Sequence, residues 1–180
     1  MRNLPAREHG LTLLEVVLSV GVFSVAALGL ASSMYANSQL NRANRENTLA
    51  ECAARGMIES MRNEEFAEIF ARFNGDPNDD PEGIGTAPGP DFPVPGLIAP
   101  AGDPDGRPGR IDFPSVNGQL REDVSIPDLQ MPRDLNGDQV IDGFNHAGDY
   151  RFLPVTITIQ WQSPGDSRAQ VVRRTAFVPK

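Results

Sequence analysis

The 180-residue chain, with 39% hydrophobic and 22% charged residues, has room for one ordinary domain and an appendage, which excludes a multidomain machine. A formal net charge of −8 argues against direct binding of nucleic acid, whose recognition rests on a basic, counterion-releasing surface. A single cysteine, Cys52, excludes an internal disulfide. The charge is unevenly placed: only Glu15 is charged between Gly10 and Asn41, whereas all 14 Asp residues lie between Asp76 and Asp166.

Residues 1–10, MRNLPAREHG, form a short basic leader with Arg2 and Arg7. Leu11 to Ala31 is an apolar run of 21 residues, about 31 Å as a helix at about 1.5 Å per residue. That matches a bilayer core of about 30 Å. Arginines lie before the run and none follows until Arg42, so the positive-inside rule orients the leader to the cytoplasm and the rest outward. A secretory signal peptide cut after Gly29-Leu30-Ala31 is the alternative. The run is longer than the usual apolar core of such a peptide, about 7–15 residues, and it contains a carboxylate.

Residues 32–73 lack proline and are rich in helix formers, and the periodicity predicts an amphipathic continuation of the same helix. Leu49, Cys52, Ala53, Met57 and Met61, then Phe66, Ile69 and Phe73, recur mostly at three- and four-residue steps. Asn74-Gly75 followed by Pro77 predicts the stop. Residues 74–117 read as a Pro/Gly/Asp-rich loop, with nine prolines and eight glycines in its first 37 positions. Its acidic run Asp76, Asp79, Asp80 and Glu82 reads as a solvated turn rather than a cation site.

A C-terminal β region is expected over 118–180. Residues 120–126, LREDVSI, alternate loosely as a strand. Val155 to Trp161 alternates cleanly, with Val155, Ile157, Ile159 and Trp161 on one face, and a turn at Ser163–Asp166 returns it as Val171 to Val178. The apolar face of that hairpin needs a cover, and the second half of the helix is available. The expected class is α+β, a long N-terminal helix on a small antiparallel sheet.

In Asp134 to Asn145, DLNGDQVIDGFN, the residues Asp134, Asn136 and Asp138 take loop positions 1, 3 and 5. The Val140 carbonyl takes position 7 and Asp142 position 9, which is the oxygen spacing of an EF-hand-like or dockerin-like Ca2+ loop. Gln139 replaces the glycine at position 6, and Asn145 replaces the bidentate acid at position 12, for which Asp149 is a substitute. The same residues also fit an Asx-rich turn without metal.

The leader and the segment GLTLLE, Gly10 to Glu15, followed by the uncharged run, resemble the processing signal of type IV pilins and type II secretion pseudopilins. The resemblance covers about residues 7–35. It implies that a prepilin peptidase cuts between Gly10 and Leu11 and methylates the new amine. It further implies that Glu15 pairs with the N-terminal amine of a neighbouring subunit during assembly. Physical cost points the same way, since a carboxylate inside a membrane helix calls for a cationic partner; snorkelling to the interface beside the helix dipole is the plainer account. Ala26 to Ser33, AALGLASS, resembles minor pilins of the PilV type. Ser32 stands where major pilins carry a kinking proline, and no disulfide can close a C-terminal loop, so a pseudopilin or minor pilin fits better than a major pilin. Pseudopilins often brace that loop with calcium.

The implied partners are other pilin or pseudopilin subunits, the prepilin peptidase, an inner-membrane assembly platform and membrane lipid, with the C-terminal region periplasmic. Structural work rather than catalysis is expected, because His9 lies in the leader and His146 is the remaining histidine. The alternative of a different class is a signal-anchored or secreted calcium-binding surface domain that forms no filament.

Overall fold

The computed structural model describes residues 12–163 and 167–179. The chain divides into two compact units, one ending at Arg42 and one starting at Ala43. Helix α1, Leu13–Asn63, contributes its first part to one unit and its second to the other.

In the first unit, the Thr12 hydroxyl accepts the Glu15 N–H at 3.3 Å and so caps the helix start. Every described residue through Ser38 is exposed, including Leu14, Phe23 and Leu30. Ser19 and Ser24 donate their hydroxyls to the Glu15 and Val20 carbonyls at 2.7 and 2.8 Å, which hides polar atoms on an apolar surface. This part of α1 is long and apolar enough to cross a membrane by length and composition.

In the second unit, α1 turns Glu46, Ala50, Ala54 and Met61 inward. Ala50 and Ala54 are both fully buried and belong to the core. The Trp161 indole N–H and the Ser163 hydroxyl donate to the Glu46 carboxylate at 3.2 and 3.1 Å, so the one acid on the buried face is satisfied. Arg173 pairs with Glu51 beside it.

The expected continuous helix to Phe73 is corrected: α1 stops at Asn63, a 3-10 turn follows at Phe66–Glu68, and α2 is Ile69–Phe73. The reason is phase. Met61 to Phe66 is a five-residue step, which points Phe66 off the buried face of a straight helix, and extended backbone at Glu65 resets it. Phe70 then meets Phe113 edge-on with centroids 5.2 Å apart, and Phe66 lies 5.0 Å from Tyr150. The Tyr150 hydroxyl accepts the Phe70 N–H at 3.3 Å and donates to the Phe66 carbonyl at 2.5 Å, tying the 3-10 turn to α2.

The strands are β1 (Asp91–Phe92), β2 (Gly109–Asp112), β3 (Ser115–Val116), β4 (Gln119–Leu120), β5 (Leu153–Gln162) and β6 (Arg168–Phe177). The main sheet is antiparallel with order β1-β2-β5-β6, and β3 and β4 form a separate small hairpin. The two strands of the expected C-terminal hairpin are paired, with Ile157 facing Arg173 and Ile159 facing Val171, and Leu153, Val155, Ile157, Ile159 and Trp161 are buried on one face, while residues 164–166 of the expected turn lie outside the described residues. The architecture is α+β.

Two expectations about strands are corrected. The segment 74–117 is not all loop, because β2 fills the place between β1 and β5, with Ile111 opposite Ile157. Gly109 permits this: a Cβ there would sit 2.4 Å from the Phe92 ring. Nor is 120–126 a strand beyond Leu120. Its backbone partners lie in three places: Arg121 N–H donates to Pro114, Arg133 N–H to the Glu122 carbonyl, and His146 N–H to the Leu120 carbonyl. That pattern ties loops together instead of building a ladder.

Candidate functional site

Two groups of residues carry the functional expectations. Gly10 and Leu11 lie outside the described residues. Glu15 is exposed on the first turn of α1, three residues after the capping Thr12. Thr12-Leu13-Leu14-Glu15 therefore has the spacing of a capping box, a local reason for this residue pair that operates beside any role in assembly.

The acidic loop is organised by its own backbone. The Asp134 carboxylate accepts the N–H groups of Gly137 at 2.5 Å and Gln139 at 2.8 Å. Those amides, the Gly137 N–H foremost, hold Asp134 below the usual carboxylate range. Asn136 accepts the Asp138 N–H and Asp138 the Val140 N–H, at 3.0 and 2.7 Å, giving successive Asx turns. Gln139 has φ of 70°, the left-handed conformation commonly left to glycine at this sixth position. The missing glycine has therefore not prevented the turn. The Asn136 amide donates to Asp138 at 3.4 Å and Asp149 at 3.2 Å, so Asp149 joins positions 3 and 5. Asp134, Asn136, Asp138 and Asp149 are hard oxygen donors suited to calcium.

Asp142 and Asn145 point elsewhere. The Asn145 side-chain oxygen accepts the Leu120 and Ala147 N–H groups, both at 3.1 Å, and so anchors β4. Asp142 accepts the Phe144 N–H at 2.8 Å and faces His146 Nε2 at 3.1 Å. The Phe144 amide first, and then His146, keep Asp142 below the usual carboxylate range. Val140 is more than half exposed.

Sequence reasoning passed over Glu122, which is fully buried beneath this loop. Its Oε1 accepts the Leu135 and Asn136 N–H groups at 2.5 and 3.2 Å, and its Oε2 accepts Asp142 N–H at 3.3 Å. One carboxylate thus holds both ends of the loop. A signal was present, since Glu122 shares the alternation phase of Leu120, Val124 and Ile126, an acid on an otherwise apolar face. His146, 5% exposed, stands among Asp142, Asp149 and Glu122. Burial works against its charged form, but Asp142, Glu122 and Asp149 together outweigh it and raise the imidazole above its ordinary value.

The other acidic run behaves as a structured turn. Glu82 pairs with Arg72, Asp76 accepts the Asn78 N–H, Asp79 accepts from Asn74, and Asp80 accepts the Ala87 N–H. Cys52 is exposed and unbridged. Compared with protein-family models, with curated proteins and with solved structures, the chain matches none.

Proposed function

We propose that this chain is a prepilin-like structural subunit, a pseudopilin or minor pilin. It is inserted through the first part of α1, cut after Gly10, methylated on Leu11, and assembled by helix packing into a periplasmic pseudopilus or type IV pilus. The observation that carries the reading is one of order along the chain. GLTLLE stands directly before an exposed apolar helix, and that same helix continues into a small α+β unit. An apolar surface of this extent requires lipid or neighbouring helices. Its partners in this reading are other pilin or pseudopilin subunits, the prepilin peptidase, an assembly platform in the inner membrane, and lipid.

Calcium belongs to the proposal as a brace. Asp134, Asn136 and Asp138 would hold it, with the Val140 carbonyl at position 7 and Asp149 in place of the acid missing at position 12. Bound there, the ion would offset the mutual repulsion of the loop carboxylates and stiffen a unit that has no disulfide.

Intact-mass analysis of the protein from its native host tests the assignment. A chain beginning at Leu11 with one added methyl group is the expected species. A chain beginning at Met1 or Ser32 overturns it and leaves the anchored or secreted calcium-binding domain as the reading.

A further inference from the structure

His146 is nineteen-twentieths buried, and both of its ring nitrogens face carboxylates. Nδ1 lies 3.2 Å from Asp149 Oδ1, while Nε2 lies 3.1 Å from Asp142 Oδ1 and 3.8 Å from Glu122 Oε2. A neutral imidazole carries one N–H for these two directions. With the proton on Nδ1, donated to Asp149, a neutral ring turns its Nε2 lone pair toward the Asp142 and Glu122 carboxylates, and a cation between them, a proton on Nε2 or a metal ion, would join the three groups. The opposite tautomer turns the lone pair toward Asp149. The neighbouring Arg121 guanidinium is engaged with Asp123 through two contacts of 2.9 and 2.5 Å.

We propose that Glu122, Asp142 and His146 form a second metal site, for a divalent transition metal of the zinc class, whose three ligands are not among Asp134, Asn136 and Asp138. Their ligand atoms all lie within 4.8 Å of one another. Tetrahedral zinc, with metal–ligand bonds of about 2.0–2.2 Å, needs ligand atoms about 3.3–3.6 Å apart; the separations from Nε2, 3.1 and 3.8 Å, bracket that range, and the two carboxylates lie within 4.8 Å of each other. Nitrogen among the ligands selects such a metal over calcium, which takes six to eight oxygens. Asp149 completes the pattern by accepting the Nδ1 proton, which fixes the ring with Nε2 toward the metal. Glu122 comes from the segment after β4 and the other two ligands from the loop before β5, so the metal pins these segments together. The inference does not depend on filament assembly.

The test uses the full chain in detergent micelles, stripped with chelator and returned to buffer with Zn2+ alone or Ca2+ alone. Competition against a chromogenic chelator should show one Zn2+ per chain. His146→Gln should weaken that binding at least tenfold and leave any calcium-dependent melting shift in place. NMR of the wild-type imidazole supplies a readout that needs no variant: zinc should leave Nε2 without a proton and Nδ1 with one. Absence of stoichiometric zinc, equal affinity in His146→Gln, or a ring protonated on both nitrogens at saturating zinc overturns the proposal.

Discussion

The first part of α1 and the loop after Glu122 invert the usual arrangement of a protein in opposite ways. From Thr12 to Ser38 an almost wholly apolar helix is exposed on every side, whereas Glu122 and His146 are a buried carboxylate and imidazole. The apolar segment satisfies its backbone internally, as a helix must in lipid, and leaves its side chains to another medium. The acid beneath the loop is satisfied by three backbone N–H groups, so its burial is tolerable. Exposure of apolar surface is resolved outside the chain, and burial of charge inside it.

The sharpest way to break this contrast is at its one shared residue type, a carboxylate on the apolar helix. In the proposed subunit, Glu15→Ala should leave insertion and cleavage intact, because the span becomes more apolar, yet abolish incorporation into filaments. Pull-down of sheared filaments from cells carrying the variant measures this. Normal incorporation would reduce Glu15 to its place beside the Thr12 cap.

At the other pole, Glu122→Leu should destabilise the second unit by at least about 3 kcal/mol. It strands the Leu135, Asn136 and Asp142 N–H groups, at about 1–3 kcal/mol for each one left buried without a partner. Denaturant melts of the chain in micelles would show it, and an unchanged midpoint would mean that water reaches the loop amides.

Calcium is expected to act next in size. At a hundredfold excess over Kd it should add about 2.7 kcal/mol to stability, visible as a higher melting temperature in calcium than in chelator. The double variant Asp134→Ala and Asp138→Ala should abolish the difference. Identical wild-type melts would leave the loop as Asx turns alone.

A smaller effect belongs to Tyr150. Tyr150→Phe removes the hydroxyl shared by the Phe66 carbonyl and Phe70 N–H and should cost about 1–2 kcal/mol. Burial raises the phenol above its ordinary value. The folded state therefore favours the neutral form, and this contribution is complete below about pH 10 and lost as pH rises from there through the folded value. Wild type should lose stability in that alkaline window and Tyr150→Phe should lose less, which parallel melts would compare.

Where the alternation or helical period was long, local pattern was sufficient. Val155 to Trp161 presents four apolar residues on one face in seven positions, and β5 buries that face. The apolar run before Asn41 likewise announces a helix whatever surrounds it. Strand β2 was hidden because Gly109-Arg110-Ile111-Asp112 contains one large core residue, and its place depends on Phe92 lying across a glycine. The spacing of Asp134, Asn136 and Asp138 was legible because it is local. The swing of Asp149 into their company, and of Asp142 toward His146, depends on the path of the loop.

By itself, then, the order of residues determined the helix, the hairpin, the α+β class and the oxygen-rich loop, all of which rest on interactions between residues near in sequence. Tertiary structure alone decided the insertion of β2 and the burial of Glu122 under residues 135–142. Both are settled by partners far along the chain: β5 for the strand, and the loop amides for the acid. A carboxylate can be buried only where donors from elsewhere converge on it, and no window of neighbouring residues contains that information.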